Sequence, residues 1–248
     1  MKACEKQNKS LHSRSVFRKS DVRVPRIGFM KNVTSLAWTF ACLFLVSCQS
    51  HPPKERGEFR SADLVELVKL DPAIRLDIRY ATTNNFMHRP VYRQARAFLQ
   101  RPAAEALVRV QKSLTPRGYG LLVFDGYRPW CVTKAFWDSA TQAQRDIGFV
   151  ANPAEGSKHN RGCAVDLTLC ELATGAEVTM PSAYDEFSDR AFPAYKGGSP
   201  ESRTMRDLLR STMEAQGFTV LNEEWWHFDY KDWREYGILN IPFEAIKQ

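Results

Sequence analysis

The run Tyr119-Gly120-Leu121-Leu122-Val123-Phe124 constrains the fold of this chain more than any other stretch. It is apolar without interruption, has the length of a strand, and stops at the turn pair Asp125-Gly126. That is the pattern of a buried central strand. Ile74, Leu76, Ile78 and Tyr80 instead alternate with polar residues, the period of a half-buried strand. Further strands are expected at residues 163–170, 218–221 and 225–230, and Thr174-Gly175 marks a hairpin turn towards residues 177–180. Helices are expected at 62–70 behind a Ser61 cap, at 102–114 opened by Pro102, at 130–144 and at 201–216. The last carries Met205, Leu208, Leu209 and Met213 at helical spacing, with Gly217 as its C-cap. Residues 84–96 and 181–200 show no period and read as loops. Helices and strands mix without a regular βαβ cycle. The expected class is therefore α+β, a single domain whose central, mainly antiparallel sheet is flanked by helices and carries its site in a cleft.

The chain of 248 residues is long enough for one sizeable domain with sequence to spare. Its net charge of +7 suggests a polyanionic partner until the charge is located. Residues 1–48 hold nine Lys/Arg and two Asp/Glu, and the remainder holds 26 of each sign. A formally neutral body lacks the basic footprint of a nucleic-acid binder, so no nucleic-acid partner is expected. The leader reads as an export signal: Met30-Lys31-Asn32, an apolar run over 33–46, and Leu45-Val46-Ser47-Cys48. That ending resembles the bacterial lipobox, which makes Cys48 the expected lipidation site and residues 30–48 a lipoprotein signal peptide. Residues 1–29 then form an extension upstream of a start at Met30. Residues 49–60, with Pro52-Pro53, read as a tether, and 61–248 as the domain. The expected location is periplasmic, held to the membrane by an N-terminal lipid.

The segment 157–166 carries the chemistry. His159 and Asp166 sit on a loop-to-strand corner, and Gly162 permits the sharp turn that brings one back over the other. Beyond the leader the histidines are His51, His88, His159 and His227, and His51 lies in the tether. His159, Asp166 and His227 make a catalytic zinc set, two imidazoles and a carboxylate with a position left for water. A general base must reach the metal side. In an ideal strand residues four apart share a face, so Glu223 would accompany His227 and Glu224 would point away, unless the chain bends there. Arg128 follows the strand end at Asp125-Gly126-Tyr127, where side chains enter a cleft; its alternative is a structural salt bridge. Cys131, Cys163 and Cys170 are odd in number and irregular in spacing, which makes buried thiols a better reading than a disulfide framework or metal ligands.

Ser-x-His-x-x-Gly-x-Ala-x-Asp at 157–166, followed by Glu-Trp-Trp-His at 224–227, resembles the signature of the VanX-like zinc D-alanyl-D-alanine dipeptidases, LAS-type peptidoglycan peptidases of the M15 family. Asp125-Gly126-Tyr127-Arg128-Pro129 is similar to the same branch, as is Arg79-Tyr80-Ala81-Thr82 followed by Asn84-Asn85-Phe86. The resemblance implies one Zn²⁺ per chain on His159, Asp166 and His227, with Glu224 rather than Glu223 as the base. It also implies Arg128 at the developing oxyanion and Asp185 at the substrate ammonium. Tyr80 would help at that end, and Ser157 would contact the carboxylate end. The implied activity is hydrolysis of D-Ala-D-Ala in wall turnover or scavenging. The alternatives are a related D,D-carboxypeptidase or endopeptidase acting on stem peptides, and a non-catalytic cell-wall-binding lipoprotein.

Overall fold

The computed structural model describes residues 51–247; the expected upstream extension, signal peptide and lipidation site Cys48 lie outside the described residues. In chain order the elements are β1 (Leu64–Glu66), α1 (Leu67–Leu70), β2 (Arg75–Leu76), β3 (Phe98–Gln100), α2 (Arg101–Leu114), β4 (Tyr119–Asp125), α3 (Trp130–Ser139) and α4 (Gln142–Asp146). They are followed by β5 (Ala164–Glu171), α5 (Pro200–Glu214), β6 (Phe218–Leu221) and β7 (Glu224–Tyr230). The apolar run forms β4 and is buried from Gly120 onward. The main sheet has the order β2-β4-β5-β7-β6, parallel only between β2 and β4. Helices α2 and α5 pack on this sheet and on each other. Their apolar stripes, Ala103, Leu107, Val110 and Leu114 on one and Leu209 and Met213 on the other, are inaccessible to water. Each such Leu, Val or Met stabilises the fold by about 1.5–3 kcal/mol. The α+β class with a mainly antiparallel sheet is thus the observed one.

Several boundaries differ from expectation. The helix expected at 62–70 is a strand over Leu64–Glu66, paired with β3, and only one helical turn follows. The strand expected from Ile74 to Tyr80 contributes two residues, then closes into a 3-10 turn at Arg79–Ala81. The helix expected at 130–144 breaks at Ala140. Thr141 and Gln144 then form a reciprocal capping box that starts α4. The hairpin after Thr174-Gly175 is reduced to a bridge between Cys170 and Glu177. The stretch read as a tether touches the domain from Glu55 onward, through Arg161, Ile238 and a bridge between Arg60 and Tyr236. Among the described residues no helix is long and apolar enough to cross a membrane.

Candidate metal and catalytic site

Strand pairing places the first two donors. Asp166 on β5 is the direct antiparallel partner of His227 on β7, so both side chains rise from one face of the sheet. His159 comes from a 3-10 turn just before β5. That turn closes at Gly162, whose φ of 69° is left-handed, and a Cβ there would meet Leu64 at 2.6 Å. Asn160, fully buried, fixes the turn from inside. Its amide donates to Arg128 O and Thr133 Oγ1, and its oxygen accepts from Ser157 N–H.

The outward nitrogens of the two rings decide what the inward ones can do. His159 Nδ1 lies 2.7 Å from Gly126 O, an acceptor, so this nitrogen carries the proton. His227 Nε2 lies 2.9 Å from Asp229 Oδ1, which fixes its tautomer in the same way. The remaining lone pairs, His159 Nε2 and His227 Nδ1, face each other at 3.1 Å. Asp166 Oδ1 stands 3.4 Å from the first and 3.0 Å from the second. Three acceptors converging at this distance repel unless a cation sits among them. Zinc held at about 2.0–2.1 Å in a tetrahedron gives donor–donor edges of roughly 3.3–3.4 Å, which this triangle matches to within tenths of an ångström. With a proton as the cation instead, burial pulls the His227 imidazole down, but its bonds to Asp166 and Asp229 outweigh that and hold it up at about 10. Burial alone would raise Asp166, yet the two imidazoles hold it far below the usual carboxylate range. Its second oxygen accepts from Tyr184 Oη at 3.0 Å.

Glu224 and Arg128 flank the triangle. The chain turns at Asn222-Glu223, leaving Glu223 exposed, and β7 starts only at Glu224. The register between β6 and β7 then slips, Val220 pairing with Phe228 but Leu221 with Glu224. This irregularity puts Glu224 Oε2 at 3.8 Å from His227 Nδ1 although the two are three residues apart. Burial, against His227 and with Asp166 adding repulsion, pushes the Glu224 carboxyl up to about 7. Arg128 is 8% exposed, and its Nε and a terminal nitrogen hold Asp125 at 2.9 and 2.8 Å. Its guanidinium stacks over Phe136 and Tyr80. The salt bridge and the place in the cleft therefore coexist.

The remaining candidates lie on the same cleft. Tyr80 Oη donates to Asp185 at 2.9 Å, and Asp185 holds a left-handed φ of 59°. Burial, Asp166 and Glu224 push the Asp185 carboxyl well above its ordinary value. Ser157 Oγ accepts from His159 N–H at 3.0 Å, which leaves its own hydroxyl free to donate. The cavity they line measures about 370 Å³ and also includes Phe86, Lys158 and Trp233. His88 is exposed, outside this cavity, and Cys163 and Cys170 are buried free thiols. Sequence reading missed the residues that orient others. Asp229 fixes the His227 tautomer and is itself paired with Lys158 at 3.1 Å. Asp125 holds Arg128 and accepts from Tyr92 Oη at 2.9 Å. Two-residue periodicity from His227 points to Asp229 on the same face, a signal present but unused.

An α+β scaffold that aims two imidazoles and a carboxylate at one point, beside a free carboxylate and a guanidinium, is built as a metal-dependent hydrolase is built. The family model for D-ala-D-ala dipeptidases, Peptidase_M15, matches residues 60–243, and the chain belongs to this family of metallopeptidases. It is 31% identical over 186 residues to a D-alanyl-D-alanine dipeptidase of Escherichia coli (strain K12), covering 75% of this chain and 94% of that protein. To a D-alanyl-D-alanine dipeptidase of Enterococcus faecium it is 35% identical over 178 residues, 64% of this chain and 87% of the relative. Among solved structures, the LdcB LD-carboxypeptidase aligns over 79% of this chain and 85% of its own at 19% identity and a TM-score of 0.42, too loose a likeness to argue from.

Proposed function

We propose that this protein is a zinc-dependent dipeptidase that hydrolyses D-Ala-D-Ala. The observation that carries the reading is the triangle of His159, Asp166 and His227, whose three acceptors demand a cation. Bound there, zinc supplies an acidified water and a polarised carbonyl. Glu224 takes the proton of the attacking water and returns it to the leaving amine, a task that suits a carboxyl held near 7. Arg128, locked by Asp125, presents its always-charged fork to the oxyanion that develops on the peptide carbonyl. Asp185 accepts only a neutral Tyr80 hydroxyl, so a substrate ammonium would supply the charge it lacks. The Ser157 hydroxyl takes the carboxylate end. A cavity near the lower limit for small-molecule sites favours a free dipeptide over a long stem.

Two measurements test this. Purified full-length protein is offered free D-Ala-D-Ala and an N-acylated pentapeptide in parallel. Turnover of the first is expected, and preference for the second would replace the dipeptidase with a carboxypeptidase. Glu224→Ala should keep about one zinc per chain while turnover falls by about 10²–10⁴-fold. Retained turnover would return the base role to Glu223.

The export signal and the Leu-Val-Ser-Cys ending further support a periplasmic enzyme anchored through Cys48. An exported enzyme is badly placed to clear a cytoplasmic precursor pool, so wall turnover or scavenging is the proposed role. Cys48→Ala should shift the protein from the membrane to the soluble fraction.

A further inference from the structure

Glu55 lies upstream of the segment that matches the family, which begins at residue 60, yet it reaches the turn that carries His159. One carboxylate oxygen accepts from the Arg161 guanidinium, and the other accepts from Ile238 N–H at 2.6 Å. Arg161 is 8% exposed, donates to Tyr236 O at 2.5 Å, and stacks over Trp233. It stands two positions after His159 within the same 3-10 turn. A guanidinium so far removed from water needs a counter-charge, and Glu55 is the carboxylate that pairs with it.

The same carboxylate also holds the segment that braces the turn from outside. Leu239 N–H donates to Asn160 O at 2.9 Å, and Trp130 N–H donates to Leu239 O at 3.0 Å. The Ile238 side chain fills the space over Gly156, where a Cβ would meet it at 2.3 Å. The metal turn is therefore clamped between the start of α3 and the stretch 236–239, and Glu55 ties that stretch to the turn.

We propose that Glu55 is a positioning residue for the metal centre, an N-terminal strap that acts through Arg161 to hold His159 in place and so sets how fast the metal is lost. The inference rests on the zinc reading above. It extends that reading to a residue that touches no metal ligand. Strapping lowers the freedom of one donor, and residues supporting metal ligands change metal affinity by about 10–100-fold when removed.

The test uses the full chain loaded with zinc, and follows metal transfer to a chromogenic chelator. Glu55→Ala is expected to release zinc about ten-fold faster than wild type, with Glu55→Gln in between because it keeps shape but not charge. The visible spectrum of the cobalt(II)-loaded protein should change in Glu55→Ala. Arg210→Ala is the control: it removes an exposed ion pair to Glu214 on α5, outside the turn and the stretch 236–239, and should release zinc at the wild-type rate. Equal release from Glu55→Ala and wild type, or equal acceleration in Glu55→Ala and Arg210→Ala, would overturn the proposal while leaving the metal centre intact. Wild-type protein that retained no zinc would remove the metal centre and the strap's role with it.

Discussion

Two ring nitrogens point inward because two acceptors hold their partners outward. Gly126 O does this for His159, and Asp229 does it for His227. Asp229 is thus expected to matter without touching the metal. Asp229→Ala should weaken zinc binding by about 10–100-fold, read by competition with a chelator, while leaving the fold in place. Glu224 carries a second prediction. As the proposed base it acts only when ionised, and burial holds its carboxyl up to about 7, so kcat/KM should fall as pH drops through its pKa. Zinc in the proposed site would add positive charge and favour the carboxylate, which moves this acid limb below about 7 but not to the ordinary Glu value of about 4.3. A profile flat down to about pH 4 would deny Glu224 the role.

At the scale of elements, legibility followed the range of the interaction. Strand β4 and helices α2 and α5 were readable because composition and period alone determine them. Strand β1 was not. Its partner β3 lies 34 positions away, and Leu-Val-Glu running into Leu-Val-Lys-Leu reads locally as helix. The break at Ala140 had a local signal in Thr141-x-x-Gln144, hidden inside a longer helical pattern. The two glutamates show the limit most clearly. His159, Asp166 and His227 could be paired by chemistry, but ideal strand geometry favours Glu223, and only the turn at Asn222-Glu223 and the slip after Val220 bring Glu224 inward. Gly162 is where this scale can be tested. Gly162→Ala must hold a left-handed backbone, costing about 1–2 kcal/mol, and its methyl must also displace Leu64. The expected result is a lower urea midpoint together with weaker zinc retention, because the turn that loosens is the one carrying His159. An unchanged midpoint would mean that the turn relaxes freely.

For the molecule as a whole, the donor triangle would be a cross-link once the proposed metal is bound. His159 precedes β5, Asp166 lies on it, and His227 stands on β7, 61 positions further along. The body beyond residue 48 is formally neutral, so no general field gathers cations. The attraction is local, from Asp166, Glu224 and Asp185 against the guanidinium of Arg128, while Arg161 and Lys158, which also line the cavity, are paired with Glu55 and Asp229. An unfolded chain cannot assemble these donors, so metal binding at the proposed site would be coupled to folding. At free zinc 100-fold above its dissociation constant, the folded state gains about 2.7 kcal/mol. For a domain of this size that corresponds to roughly 5–10 °C in thermal midpoint. Melts with zinc and with chelator should differ by that amount in wild type. Glu224→Ala should keep the difference, because its carboxylate is not a donor, whereas His227→Ala should lose it. A wild-type melt indifferent to chelator would mean that these acceptors are held together by protons, and the case for a metallopeptidase would have to rest on sequence kinship alone.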